Sequence, residues 1–170
     1  MAEEIINRVA KSGIITLNLE DYYVEGERVA YDIKQNLWQE IALKEKDFRE
    51  FIKMNDWSVY KDKLVAIHCS VDAIIPTWAY MLLSIAIQPF AKRVFFGSLE
   101  TMNQVIYEEQ LNAIDFSQYE DVRIVIKGCG DKAVPESAYV TLTNKLLPYA
   151  KTIMYGEPCS TVPLYKKPRG

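Results

Sequence analysis

The feature that most constrains the fold of this chain is an internal duplication. Residues 56–97 and 115–156 match each other at a constant offset of 59 residues, apart from one extra residue around Gly128. Matching blocks that recur in the same order indicate two copies of one supersecondary unit. The blocks are Asp56-Trp-Ser-Val-Tyr-Lys-Asp62 with Asp115-Phe-Ser-Gln-Tyr-Glu-Asp121, Pro76-Thr-Trp-Ala-Tyr80 with Pro135-Glu-Ser-Ala-Tyr139, and Pro89-Phe-Ala-Lys-Arg-Val-Phe-Phe-Gly97 with Pro148-Tyr-Ala-Lys-Thr-Ile-Met-Tyr-Gly156.

Each copy has the pattern of a strand, a cysteine-bearing loop, a helix and a return strand. Apolar runs at 64–67 and 124–126 are typical of strands buried in a parallel sheet. A proline opens and another closes each predicted helix. Tyr80 and Tyr139 hold equivalent helix positions, and we expect them to pack in the core with their hydroxyl groups hydrogen-bonded. Strands that alternate with helices predict an α/β fold with one layered, mostly parallel sheet of about six strands.

The predicted organisation is a single α/β domain over residues 1–170, a length that can bury a sizeable core. Alternating apolar residues on either side of Glu25-Gly26 predict an N-terminal hairpin. The predicted segments are the N-terminal hairpin and helix (1–55), repeat one (56–97), a connecting helix (98–114), repeat two (115–156) and a C-terminal tail (157–170).

Charge and hydropathy exclude two classes of partner. The chain has 20 Lys+Arg against 23 Asp+Glu and no basic tract, which argues against nucleic-acid binding. Residues 73–91 carry no charge, but Pro76 and Pro89 leave room for a helix of only about 20 Å, shorter than a membrane core. We expect a helix buried on nearly all sides. The acidic start of the chain is unlike a signal peptide, so we expect a cytoplasmic protein.

The scarce residues are three cysteines and one histidine. Cys69, Cys129 and Cys159 each follow a predicted strand at the sheet edge where ligands collect in α/β folds. Neighbouring strands lie about 4.8 Å apart, so the three thiols could share a zinc ion or an iron–sulfur cluster, with His68 as a candidate fourth ligand. The alternative is that the thiols are structural, because cysteine commonly behaves as a small buried hydrophobe. Their odd number indicates a reducing compartment rather than a disulfide scaffold.

A reactive thiol is the third interpretation. The sequence leading to Cys69 resembles the opening of the cysteine phosphatase loop, but Ile75 stands at the arginine position and Asp72 adds a repulsive charge. A persulfide-carrying thiol at Cys69 or Cys129 needs less of that loop, since a helix N-terminus lowers a cysteine pKa. In a regular strand His68 would point away from Cys69, which argues against ligation by His68.

Four longer motifs carry a family resemblance over essentially the whole chain. The chain is similar to a bacterial family catalogued only as a domain of unknown function, so the resemblance implies no catalytic residues. Genes of that family often lie near sulfur-mobilisation genes, which implies a connection with iron–sulfur cluster assembly. The motifs are Ala2-Glu-Glu-Ile-Ile-Asn-Arg-Val9, Leu17-Asn-Leu-Glu-Asp-Tyr-Tyr23, Asp72-Ala-Ile-Ile-Pro-Thr-Trp-Ala-Tyr-Met-Leu82 and Met154-Tyr-Gly-Glu-Pro-Cys-Ser-Thr-Val-Pro-Leu-Tyr165.

Together these observations predict an accessory factor linked to iron–sulfur assembly proteins. It would either bind a metal or cluster through Cys69, Cys129 and Cys159 or dock on the assembly machinery, and the sequence favours a non-enzyme without deciding the point. Two alternatives remain open: a non-catalytic interaction module with structural thiols, and a persulfide-carrying sulfur-transfer protein.

Overall fold

A computed structural model of the chain describes residues 13–157 and 160–170. Over these ranges, strands and helices alternate as the duplication predicts. The elements are β1 (Ile14–Asn18), β2 (Arg28–Asp32), α1 (Glu45–Met54), β3 (Leu64–His68), α2 (Thr77–Ile87), β4 (Arg93–Phe96), α3 (Leu99–Asn112), β5 (Arg123–Lys127), α4 (Glu136–Leu146), β6 (Thr152–Glu157) and β7 (Ser160–Lys166). Short 3₁₀ turns follow β1 and β2 and precede β3 and β5.

The described strands form two sheets. One has the order β2-β3-β4 and is parallel throughout, and the other has the order β1-β5-β6-β7 with only β7 antiparallel. The α/β class and the mostly parallel pairing are confirmed, whereas the expected single sheet of about six strands is corrected to two sheets. The physical reason is that each copy of the repeat, β3-α2-β4 and β5-α4-β6, builds a sheet with its own apolar core.

The two N-terminal strands lie where the alternation predicts them, but they do not pair with each other as a hairpin. Asn18 of β1 stands opposite Lys127 of β5, and Asp32 of β2 stands opposite His68 of β3, both in parallel register. Each strand therefore adds to a different copy of the repeat, where its apolar face is buried. The predicted hairpin is corrected to two parallel edge strands.

The predicted C-terminal tail, residues 157–170, contains a strand. β7 pairs with β6, and Tyr165 packs against the core of that sheet. Just beyond β7, the Lys167 Nζ atom lies 2.9 Å from the Asp121 carboxylate and 3.6 Å from that of Glu120. The segment is therefore held to the fold over most of its length, and the tail prediction is wrong from Ser160 to Lys167.

The two copies agree in local detail as well as in element order. Asp56 accepts hydrogen bonds from the Ser58 backbone N–H at 3.0 Å and from its hydroxyl at 2.6 Å. Asp115 makes the same two bonds with Ser117 at the same distances. These bonds, led by the one from the serine hydroxyl, lower the pKa of both carboxyl groups. The repeat in the sequence is thus a repeat of structure.

The structure divides into two compact units. The repeat-one unit is Glu25–Met102, and the repeat-two unit contains the described residues up to Val24 together with Asn103–Gly170. α2 and α4 each bury a stripe spaced by four residues, as expected for a helix packed on a sheet. The stripes are Ala79, Leu83 and Ile87 in α2 and Ala138, Leu142 and Leu146 in α4.

The uncharged segment 73–91 contains α2, which is shorter and less enclosed than we expected. Met81 is 61% exposed and Ile85 is 69% exposed, so one side of the helix meets solvent. Among the described residues, no helix has the length and apolarity needed to cross a membrane.

Candidate functional site

Cys129 lies in the loop that leaves the carboxyl end of β5, a strand with neighbours on both sides. In parallel sheets, this is the edge where ligands bind. The side chain of Cys129 is exposed, whereas Gly128 before it is buried. The loop therefore presents a thiol to solvent next to a buried backbone position.

Two tyrosine hydroxyl groups approach the thiol from different elements. The Tyr155 Oη atom, on β6, lies 3.1 Å from the Cys129 Sγ atom, and the Tyr139 Oη atom, on α4, lies 3.7 Å from it. The two rings meet edge to face with centroids 5.9 Å apart, which fixes both hydroxyl groups next to the sulfur. Helix, strand and loop thus converge on one sulfur atom.

This arrangement stabilises the ionised form of Cys129. The hydrogen bond from Tyr155, followed by that from Tyr139, lowers the pKa of the thiol below its ordinary value. Some loss of solvation around the thiol and the charge of Glu20 oppose that shift without reversing it. Burial and the nearby sulfur raise the pKa of Tyr139, and the hydrogen bond to Cys129 raises the pKa of Tyr155. Both tyrosines therefore keep their protons and remain donors while the cysteine ionises first.

The glycines on either side of Cys129 are required by close approaches. A Cβ atom on Gly128 would lie 2.5 Å from the Tyr139 hydroxyl oxygen, and one on Gly130 would overlap the Glu20 carboxylate. The same carboxylate accepts the Lys132 backbone N–H at 2.6 Å. The absence of a side chain at Gly128 therefore lets the Tyr139 hydroxyl group approach the thiol. The absence of one at Gly130 leaves room for the Glu20 carboxylate, which binds the loop backbone.

Two hollows meet at Cys129 and Tyr155. One, of about 220 Å³, is polar and contains the ion pair between the Lys127 Nζ atom and the Glu157 carboxylate at 3.4 Å. The other, of about 580 Å³, is mainly apolar, with Val134 and Val140 in its wall. Its volume falls in the range of small-ligand pockets. A molecule bound in either hollow would have the sulfur within reach.

The equivalent position in repeat one is built differently. Cys69 is half-buried, packs against the core, and donates its S–H to the Val71 carbonyl oxygen at 3.2 Å. Phe96 replaces Tyr155, and Tyr80 makes an edge-to-face contact with it at 5.1 Å. Because phenylalanine has no hydroxyl group, repeat one lacks the donor that lies nearest the sulfur in repeat two. Among the described residues, the hydrogen bond of the Cys69 sulfur is therefore made within its own loop.

An acidic side chain also holds the repeat-one loop. The Asp32 carboxylate accepts the Ser70 backbone N–H at 3.1 Å, as Glu20 does for Lys132 in repeat two. Burial of Asp32 would raise its pKa, but the hydrogen bonds from Ser70 and Lys34 outweigh it and the pKa is lowered. His68 pairs in register with Asp32 and adds a smaller favourable charge.

The predicted metal ligands are distributed over the two units and over a residue outside the described ranges. Cys69, with its neighbour His68, and Cys129 belong to different units, and Cys159 lies outside the described residues. The part of the chain that the structure describes contains no group of three His, Cys, Asp or Glu side chains placed to hold a metal ion. A shared zinc or iron–sulfur site at Cys69, Cys129 and Cys159 therefore stays a prediction.

Sequence reasoning missed Glu20 and Tyr155 as parts of the site. Tyr155 could have been found, because it occupies the position of Phe96 and so adds a hydroxyl group beside a repeated cysteine. Glu20 lies far from Cys129 in sequence and reaches it only through the pairing of β1 with β5. Tyr139 has the hydroxyl partner that we expected.

Comparison with known proteins places the chain in a family. The model of the family described as "Protein of unknown function (DUF2480)" matches residues 3–167, and the chain belongs to that family. No curated protein and no solved structure matches the chain.

Proposed function

For this member of the DUF2480 family, we propose a thiol-dependent role in sulfur transfer, with Cys129 carrying sulfur as a persulfide. The observation that supports it best is the pair of tyrosine hydroxyl groups at 3.1 and 3.7 Å from an exposed sulfur atom. Such donors favour a thiolate, which is the nucleophilic form of cysteine. The corresponding thiol of repeat one is half-buried and has no such pair.

The proposed loading step is an exchange between sulfur atoms. The Cys129 thiolate attacks the outer sulfur of a donor persulfide, forming a new S–S bond, while the donor's S–S bond breaks and the donor leaves as a thiolate. No oxidant or reductant is consumed, because the outer sulfur moves unchanged in oxidation state. Tyr155 and Tyr139 donate to the Cys129 sulfur before the step and again when an acceptor thiolate removes the outer sulfur and Cys129 leaves as an anion.

This function accommodates the connection with iron–sulfur cluster assembly that the family resemblance implies. An accessory factor of that machinery could deliver sulfur to assembly proteins from Cys129. The apolar hollow beside the thiol, with Tyr139 and Val140 in its wall, would receive the acceptor or donor segment. Direct metal or cluster binding through the three cysteines is a separate proposal, and elemental analysis after anaerobic purification tests it.

Persulfide loading tests the proposed function. Wild-type protein incubated with cysteine persulfide should gain one sulfur atom on the peptide that contains Cys129, detected by mass spectrometry. Cys69→Ser should load as fully as wild type, because that thiol is held inside its own loop. The total persulfide per chain in Cys129→Ser should be at least about tenfold lower than in wild type. The remainder would reflect the ordinary reactivity of the other thiols in the chain.

Circular dichroism should show that both variants are folded, which separates loss of chemistry from loss of structure. Equal loading of Cys129→Ser and wild type would overturn the proposal. That result would favour the interaction module with structural thiols.

A further inference from the structure

The charges around the polar hollow beside Cys129 differ between the two copies of the repeat. This hollow, of about 220 Å³, is lined in part by the charged side chains of Glu20, Lys127 and Glu157. Strand register and the constant offset give each of them a counterpart in repeat one. Those counterparts are Lys34, His68 and Ser98. The cysteine is therefore repeated, whereas the set of charges next to it belongs to repeat two.

The three charged residues lie at the carboxyl ends of neighbouring strands. Glu20 follows β1, Lys127 ends β5 and Glu157 ends β6. Because β5 lies between β1 and β6, one positively charged residue stands between two negatively charged ones. The loop that carries Cys129 leaves the same edge of the sheet, so the sulfur and the three charges border one hollow.

The ion pair in this hollow is open to exchange with a ligand. The Lys127 Nζ atom lies 3.4 and 3.5 Å from the two carboxylate oxygens of Glu157, farther than the roughly 2.7–2.9 Å of a close charged hydrogen bond. The two side chains are 35% and 61% exposed, and an exposed pair of this kind contributes little to stability. Both groups can therefore turn to a ligand. Glu20 is held in place, since its carboxylate accepts the Lys132 backbone N–H.

The charges and the size of the hollow select a class of ligand. A dianion such as thiosulfate would meet two carboxylates and the Cys129 thiolate against one ammonium group, so repulsion would exceed attraction. A molecule with one ammonium and one carboxylate group can pair with both signs of charge. The volume is below the range of about 300–1,000 Å³ for drug-sized ligands, which suits a molecule of amino-acid size.

We propose that the sulfur donor of Cys129 is a free α-amino acid persulfide, cysteine persulfide, bound in the polar hollow; this proposal rests on the sulfur-carrier role given above. The carboxylate of the donor pairs with Lys127, and its ammonium group pairs with Glu157 under the added attraction of Glu20. The Cys129 sulfur then forms a bond to the outer sulfur, the S–S bond of the donor breaks, and cysteine leaves as a thiolate. The apolar hollow is left to the acceptor.

A comparison of three small persulfides tests the donor class. The persulfide of 3-mercaptopropionate lacks the ammonium group, and that of cysteamine lacks the carboxylate. The rate of loading at Cys129 is followed by mass spectrometry, and each rate is divided by the rate of the same donor with a short cysteine peptide. Wild type should prefer cysteine persulfide at least about tenfold over each of the others, the low end for one hydrogen bond to a charged group.

Charge-neutral variants assign the two preferences to residues. Lys127→Gln should lose the preference over cysteamine persulfide, and Glu157→Gln should lose the preference over mercaptopropionate persulfide. Glu120→Gln is the matched control, because Glu120 forms an exposed ion pair with Lys167 and precedes β5 at its opposite end. It should keep both preferences. Each preference compares two donors on one variant, so a change in the thiolate fraction of Cys129 cancels.

The outcomes separate the donor class from the sulfur-carrier role. Equal corrected rates with the three persulfides in wild type would overturn the donor class and leave Cys129 as a sulfur carrier. Preferences that survive in both Lys127→Gln and Glu157→Gln would overturn the donor class as well. No loading at Cys129 from any donor would overturn the sulfur-carrier role and the donor class with it.

Discussion

Replacing Tyr155 with phenylalanine is expected to reduce the thiolate fraction of Cys129 about tenfold at neutral pH, the low end of what one hydrogen bond to a charged group provides. The variant removes the hydroxyl group at 3.1 Å, the largest cause of the lowered pKa, and leaves the ring in place. The pKa of Cys129 should therefore rise toward that of a free thiol. The pH dependence of the Cys129 alkylation rate, followed by mass spectrometry, measures this directly.

The direction of the pH effect follows from the sign of the shift. A thiol with a lowered pKa is ionised at a lower pH than an ordinary thiol. The alkylation rate of Cys129 in wild type should therefore reach its plateau at a lower pH than the rate of an ordinary thiol. Tyr155→Phe should move the profile to higher pH, and Tyr139→Phe should move it less, because that hydroxyl lies 3.7 Å away. Tyr80→Phe, the matched change in repeat one, should leave the profile unchanged. A Tyr155→Phe profile that coincides with wild type would remove the basis for an activated thiol.

Leu83→Ala and Leu142→Ala are each expected to lower the free energy of unfolding by about 2–5 kcal/mol, the range for a buried leucine truncated to alanine. The two residues hold equivalent positions in α2 and α4, and both are fully buried in separate cores. Denaturant titration measures the loss. Val59→Ala, at a side chain that is 55% exposed, should change the free energy by no more than about 0.5 kcal/mol.

Amide exchange distinguishes the two leucine variants. Leu83→Ala should accelerate exchange mainly in β2, β3 and β4, whereas Leu142→Ala should do so mainly in β1, β5, β6 and β7, because each leucine packs in one core. Identical exchange patterns in both variants would contradict a structure with two separate cores.

Much of the local structure could be predicted from the sequence. The offset repeat located β3, α2, β4 and their counterparts β5, α4, β6, because proline spacing and apolar runs are local signals. Strand partners depend on contacts between distant residues. Alternation identified β1 and β2, but nothing local shows that one pairs with β5 and the other with β3.

The candidate site also has a part that the sequence predicts and a part that depends on strand pairing. Cys129 and Tyr139 were visible as repeated residues, one in a loop and one in a helix. Their convergence with Tyr155 depends on the register of β5 against β6, where Ile126 stands opposite Tyr155. The shared site at Cys69, Cys129 and Cys159 follows from three cysteines at strand ends, and it stays a prediction because Cys159 lies outside the described residues. With two sheets, Cys69 and Cys129 each belong to a loop with its own hydrogen bonds.

Transfer of labelled sulfur tests the central claim most directly. Protein incubated with cysteine persulfide carrying radioactive sulfur, then freed of excess donor, should hold one label per chain on the peptide containing Cys129. Addition of unlabelled thiol should release that label into the small-molecule fraction. Label absent from Cys129, or bound there and not released by thiol, would contradict the role of Cys129 as a sulfur carrier.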